Sequence, residues 1–273
     1  HALFTGGTEI GRKIMAAAAP TLTPVTLELG GKSPVVVLPD ADLDVTARRI
    51  AWTKLLNSGQ TCIAPDYVLA DRTIAAPLAE KIVATIAKFR AGEQDPSLRI
   101  VNERQFDRLV SLISATSGKV VTGGGSDRST LRIEPTVVVD PPADDPVMSD
   151  EIFGPILPIL TVDSPDAAVQ FINARPKPLA LYVFTSDQQR ARALIDRMPS
   201  GGAVINHVAL HCLVPQLPFG GVGASGMGAY HGKWGFEALS HRRAVLAKPT
   251  KPDLSLMYPP YTDRAMKLIR RVF

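Results

Sequence analysis

A chain of 273 residues can hold one large or two ordinary domains, and 45% hydrophobic with 21% charged residues is the balance of a soluble globular protein. The net charge of +4 is mild, the basic residues are scattered without interleaved aromatics, and no run nears the ~20 apolar residues of a membrane span. Nucleic acid and membrane contact are therefore not expected. Two cysteines, at 62 and 212, make neither a disulfide framework nor a metal spacing, and point to reduced thiols in a cytoplasmic setting.

His1 is no initiator, no signal-peptide pattern follows, and Ala2 to Phe4 reads as a strand already under way. The expectation is the C-terminal part of a longer protein. Thr5-Gly6-Gly7-Thr8 then turns into a helix from Glu9 to Ala19, with Thr8 as its cap and Ile10, Ile14 and Met15 on one side. Such a helix start attracts phosphate. The Gly6 to Gly11 spacing resembles a Walker loop, but Arg12 stands where Lys is required, which excludes nucleotide hydrolysis.

Val25 to Leu29 and Pro34 to Leu38 are apolar and β-branched, as buried parallel strands read. A helix follows Asp40-Ala41-Asp42 and runs to Asn57, and Tyr67 to Ala70 is another apolar run. Helices are expected over Thr73 to Phe89 and Gln105 to Ser114, strands over Thr136 to Val139 and Ile156 to Val162. Ser164-Pro165-Asp166 opens a helix to Ala174. Leu179 to Thr185, a helix from Gln188 to Met198, and Ala203 to Asn206 continue the alternation. Arg242 to Ala247 reads as a late strand, and Lys267 to Arg271 as a solvated helix end. The fold class is α/β, with an open, mostly parallel sheet flanked by helices.

Gly221 to Gly226 matches G-x-G-x-x-G, the dinucleotide fingerprint, but Pro215 and Pro218 interrupt its approach and Glu237 is too near to serve as the ribose acid. It reads instead as a glycine-rich loop near a site mouth. His207 and His211 have a metal-like spacing, yet no acidic third ligand stands near and the β-like Ala203 to Asn206 opposes the helix needed. Metal binding is not expected.

The chemistry-bearing residues are Cys62, in Asn57-Ser58-Gly59-Gln60-Thr61-Cys62, and Glu28, ahead of Gly30-Gly31. A thiol on a turn and a carboxylate at a strand end are the halves of a nucleophile and general-base pair. Each has a bland alternative: inert core thiol for Cys62, surface carboxylate for Glu28. Lys32 reads as a solvated lysine steadying its loop, and Cys212 as a pocket-wall or core thiol. Thr61 is equally a pocket wall or a turn hydroxyl bonding its own backbone.

ELGGKSP (Glu28 to Pro34), followed by the cysteine of GQTC, resembles the aldehyde dehydrogenase superfamily, as do FTGG-TEIG (Phe4 to Gly11), EIFGP (Glu151 to Pro155) and LPFGGVGASGMG (Leu217 to Gly228). YHGKWGFEALSHRR (Tyr230 to Arg243) and YPPYTD (Tyr258 to Asp263) look most like its class 3 branch. The resemblance covers essentially the whole chain. It implies oxidation of aromatic or medium-to-long aliphatic aldehydes to acids with NAD or NADP, in a homodimer. It further implies Cys62 as nucleophile, Glu28 as general base, a pyrophosphate over Gly6, Gly7 and Gly11, and a cofactor contact at Leu29. Glu151 would bind the nicotinamide ribose and Phe153 would pack beside that ring. Many members carry serine where Gly7 stands; if that hydroxyl contacts phosphate in them, that one hydrogen bond would be missing here. Residues 1–27 would be the end of a dinucleotide-binding domain, 28–228 a catalytic domain, and 229–273 a C-terminal segment whose strand Arg242 to Ala247 joins a sheet shared between subunits. A cysteine ester hydrolase using the same pair, or an inactive scaffold, are the competing readings.

Overall fold

The computed structural model describes residues 1–91 and 99–272. The first strand, β1 (Ala2–Thr5), leads into helix α1 (Thr8–Ala18) and then β2 (Val25–Glu28). The following elements are β3 (Pro34–Val37), α2 (Leu43–Leu55), β4 (Tyr67–Asp71), α3 (Ala75–Arg90) and α4 (Glu103–Ala115). Next come β5 (Lys119–Thr122), a two-residue-per-strand hairpin of β6 (Ser126–Asp127) with β7 (Arg132–Ile133), β8 (Thr136–Val139), α5 (Pro146–Ser149) and β9 (Ile156–Val162). The compact body is completed by α6 (Pro165–Asn173), β10 (Ala180–Phe184), α7 (Gln188–Ile195), β11 (Gly202–Ile205), β12 (Gly226–Met227) and α8 (Gly232–Ala238).

Seven strands form one sheet in the order β11-β10-β3-β4-β9-β8-β5, every neighbouring pair parallel except the antiparallel β8–β5. Its apolar strand sequences follow from burial on both faces. Alternate residues split cleanly between two cores. Val35, Val37, Val68 and Ala70 join α2 and α3 on one side. Val36, Leu38, Tyr67 and Leu69 join α4, α6 and α7 on the other. Helices α2, α4, α6 and α7 begin where a side-chain oxygen accepts first-turn N–H groups: Asp42, Asn102, Ser164 and Asp187.

A smaller sheet, β1-β2-β12, carries the N-terminal edge of the site. Two expectations change here. Thr8 does not cap α1: Gly7 is the capping position, with no side-chain cap, and the Thr8 hydroxyl donates to Ala224 O at 3.0 Å. The glycine-rich loop is more than a loop, because Gly226–Met227 pairs antiparallel with Leu27 and Glu28. A glycine is required there, since a Cβ on Gly226 would lie 2.0 Å from Leu27 O.

His1–Leu239 makes one compact unit and Ser240–Phe273 a second. The boundary expected after residue 27 falls inside β2. Within the second unit, residues 242–247 form no strand with the other described residues of this chain; the strand expected there is one completed by a second copy. Its regular element is α9 (Asp263–Val272), longer than the helix end read from the sequence. Among the described residues no helix is long and apolar enough to cross a membrane.

Candidate active site

Glu28 ends β2 between two backbones, opposite Thr5 of β1 and Gly226 of β12. That position leaves it 3% exposed, and among the described residues neither carboxylate oxygen has a hydrogen-bond partner. Water stabilises a carboxylate that protein does not, so burial pushes Glu28 up to about 7. The surface-carboxylate alternative is excluded. An unpartnered buried carboxylate costs stability and marks a site where a proton is handled.

Cys62 is delivered by a strained turn. After α2 ends, Asn57 (φ 50°), Ser58 (φ 53°) and Gly59 (φ 71°) are all left-handed, a conformation costing about 1–2 kcal/mol for each residue with a Cβ. Gln60 holds the turn: its Nε2 donates to Asn57 O and Arg99 O, each at 3.1 Å, and its Oε1 accepts the Val101 N–H at 2.9 Å. Beyond the cysteine, Tyr182 OH donates to Ile63 O at 2.6 Å. The thiol itself is half-buried, less open than a surface turn would leave it. Burial first, then the carboxylates of Glu151 and Glu28, pushes it up to about 11. Cys62 therefore rests as a thiol, and to serve as a nucleophile it would need a base to take its proton.

Glycines bring three distant stretches into contact. A Cβ on Gly59 would lie 2.3 Å from Gly154 O, so the cysteine turn abuts the Glu151–Pro155 stretch. A Cβ on Gly30 would lie 1.8 Å from Glu151 Oε2, so the Glu151 carboxylate occupies the space that a side chain would take. The group that comes closest to the Gly30 backbone is thus a side chain of the protein itself. Burial, with the negative charge of Asp66 adding to it, pushes Glu151 up to about 7, opposed by the Gly31 N–H, Lys32 and Lys54. Phe153, two residues on, is 38% exposed and holds a left-handed backbone with φ 48°.

Lys32 is not the solvated lysine expected. Its side chain is 10% exposed and pairs with Asp66. Lys54, on the core face of α2, is also buried; it donates to Pro65 O at 3.0 Å, and burial pushes it down to about 8. Asp66, Lys54 and Arg108 were not singled out from the sequence. The available signal was a charged residue on an otherwise apolar face, at Lys54 of α2 and at Asp66 just before β4.

The Gly6–Gly7 turn lies beside this region, with the Gly6 N–H donating to Glu28 O at 3.0 Å. No heavy atom lies within 4 Å of a Cβ on Gly7, so that side of the turn is open. Gly11 is buried against Leu29, whose Cδ2 would sit 2.7 Å from an added Cβ, and Leu29 N–H donates to Ser225 O at 3.1 Å. Thr61 is half-buried beside Cys62, and its carbonyl accepts the Ala64 N–H at 2.9 Å. Cys212 packs against the same core as Cys62. His207 faces Trp52 edge-on and His211 lies among Tyr182 and Phe219. Among the described residues no group of three or more His, Cys, Asp or Glu is placed to hold a metal.

The profile of the "Aldehyde dehydrogenase family" matches residues 1–245. The chain belongs to the aldehyde dehydrogenase family. Its relatives include the mouse "Aldehyde dehydrogenase, dimeric NADP-preferring", 50% identical over 95% of this chain and 58% of the mouse protein. The Arabidopsis thaliana "Aldehyde dehydrogenase family 3 member H1" is 47% identical over 98% of this chain and 56% of the plant protein. These place the chain with class 3 members. A solved Staphylococcus aureus AldH in its substrate-bound state superposes with a TM-score of 0.94 at 42% identity, covering 99% of this chain and 60% of that one. The chain thus spans little more than half the length of the aldehyde dehydrogenases it matches.

Proposed function

We propose that the protein carrying this chain oxidises aromatic or medium-to-long aliphatic aldehydes to carboxylic acids with NAD or NADP, through a thioester on Cys62. The observation that carries this reading is Glu28: a buried carboxylate without a protein partner, raised to about 7, within electrostatic reach of the Cys62 thiol. At neutral pH such a group is close to half ionised, the poise of a general base.

In this reading Glu28, directly or through water, takes the Cys62 proton, and the sulfur bonds to the aldehyde carbon. The resulting alkoxide lies by the Cys62 N–H, which can donate to it; one such donor is typically worth ~3 kcal/mol of barrier. A nicotinamide held at Glu151 and Phe153 would supply the hydride acceptor for that carbon. A thioester remains on Cys62. Glu28, having passed its first proton to solvent, takes a proton from water, whose oxygen attacks the thioester carbon. The carbon–sulfur bond breaks, the acid leaves, and Glu28 returns the proton to the Cys62 sulfur. The residues present fit a dinucleotide: α1 starts without a side-chain cap beneath an open Gly7, and Glu151 lies within electrostatic reach of the thiol, with the exposed Phe153 two residues on. Gly6, Gly7 and Gly11 would form the pyrophosphate turn, Leu29 would contact the cofactor, and Thr61 would line the aldehyde pocket. A strand at 242–247 shared with a second copy would make the homodimer.

The test is to mix the natural polypeptide carrying this sequence with benzaldehyde and NAD or NADP and follow the absorbance of the reduced cofactor. Reduction stoichiometric with benzoate is expected. Cleavage of activated esters with no cofactor reduction by any aldehyde tried would contradict the reading and favour a cysteine hydrolase.

A further inference from the structure

Charged side chains from three parts of the chain converge under the turn that carries Glu151 and Phe153. Asp66, just before β4, is 3% exposed, and both its carboxylate oxygens are committed. One accepts the Ile152 N–H at 2.9 Å; the other accepts Lys32 Nζ. Lys32 gives further hydrogen bonds to Val147 O at 3.0 Å and Asp150 O at 2.8 Å. From α4, Arg108 donates to the carbonyls of Glu151 and Ile152, and its Nε–H donates to Gln105 Oε1 at 2.8 Å. Side chains thus hold the carbonyls of 147, 150, 151 and 152 and the N–H of 152.

A turn that only had to be stable would not need this. A buried ion pair is often no better for stability than an apolar pair of the same volume, because desolvation offsets the attraction. Directional bonds do fix geometry, and the residues in question are the two whose position matters. Glu151 must pass its carboxylate over Gly30, with no room for a methyl group, and Phe153 holds a left-handed backbone.

We propose that Asp66, braced by Lys32, is a positioning residue that sets the 150–153 turn and so fixes where Glu151 and Phe153 meet the nicotinamide ribose and ring. This rests on the function proposed above. Asp66 touches neither substrate nor cofactor and acts through the Ile152 N–H and through Lys32. Its loss is therefore felt in hydride transfer and cofactor binding, while ester cleavage by Cys62 and Glu28 is spared.

The test uses the natural polypeptide carrying this sequence, with Asp66→Asn, Lys32→Met and the double variant. Each is assayed for kcat and cofactor KM with benzaldehyde, and for cofactor-free cleavage of 4-nitrophenyl acetate. Asp66→Asn is expected to raise cofactor KM about 10-fold or more and lower kcat, with ester cleavage within about twofold of wild type. Lys32→Met is expected to show the same split, and the double variant to be no worse than the poorer single. An unchanged cofactor KM, or oxidation and ester cleavage falling together, would overturn the proposal. If Asp66→Asn does not fold, Lys32→Met decides by the same criteria; failure of both to fold makes the clamp a stability brace and also overturns it. Wild-type protein that cleaves the ester but reduces no cofactor removes the functional reading as a whole. Wild-type oxidation matched by Asp66→Asn removes only the positioning role.

Discussion

Because burial raises Glu28 from 4.5 to about 7, the folded chain keeps a proton there that the unfolded chain has already released. Stability from this group is therefore full below about pH 4.5 and is lost as pH rises towards 7. A shift of this size corresponds to about 3 kcal/mol. Glu28→Gln is accordingly expected to gain stability over wild type by up to about 3 kcal/mol more at pH 8 than at pH 4, measured by urea unfolding. The same difference at both pH values would show that the carboxylate is solvated. In the proposed catalysis the sign reverses: a base at Glu28 works ionised, so deacylation is expected to rise with pH through about 7, and Glu28→Gln to abolish that limb in single-turnover assays. Of the two thiols, Cys62→Ser is expected to remove oxidation and Cys212→Ser to leave most of it; the opposite pattern in a steady-state assay would reassign the nucleophile. Cys62 and Glu28 stood out in the sequence through the GQTC and ELGGKSP motifs, whereas the burial of Glu28 between β1 and β12 is set by tertiary packing and has no local signal. Lys32 was misread because what makes it a clamp, Asp66 and the carbonyls of Val147 and Asp150, lies 34 to 118 residues away.

At the scale of elements, the parallel strands were readable because a sheet buried on both faces needs continuous β-branched runs, and Pro34–Val37 or Thr136–Val139 supply them. Strand β12 was not readable. It has two residues, one of them glycine, and exists because β2 offers it an edge. The glycine junctions between stretches were also invisible, since which atoms approach Gly30 or Gly59 is decided by tertiary packing. They give a sharp prediction. Gly59→Ala must place a Cβ 2.3 Å from Gly154 O at φ 71°, and is expected to destabilise the fold by about 2 kcal/mol or more in thermal or urea unfolding. Gly30→Ala displaces the flexible end of Glu151 instead of backbone, so it is expected to cost activity, about 100-fold in kcat/KM, with a small change in melting temperature. Equal losses of stability in the two variants would contradict this distinction.

For the whole molecule, His1–Leu239 and Ser240–Phe273 are two compact units. A chain ending at Leu239 is therefore expected to keep a cooperative melt by circular dichroism. If residues 242–247 supply a shared strand, the same truncation turns a dimer into a monomer in sedimentation velocity. Unchanged assembly would remove that role from the segment. The central claim is that the acyl group of the aldehyde passes through the sulfur of Cys62 and leaves by the base at Glu28. The most direct measurement is intact and peptide mass spectrometry of the natural polypeptide carrying Glu28→Gln, quenched with acid after mixing with benzaldehyde and cofactor. A benzoyl adduct on the Cys62 peptide, with one reduced cofactor per site in a burst, is the predicted result. A wild-type enzyme that turns over while this variant shows no adduct on Cys62 would contradict the account.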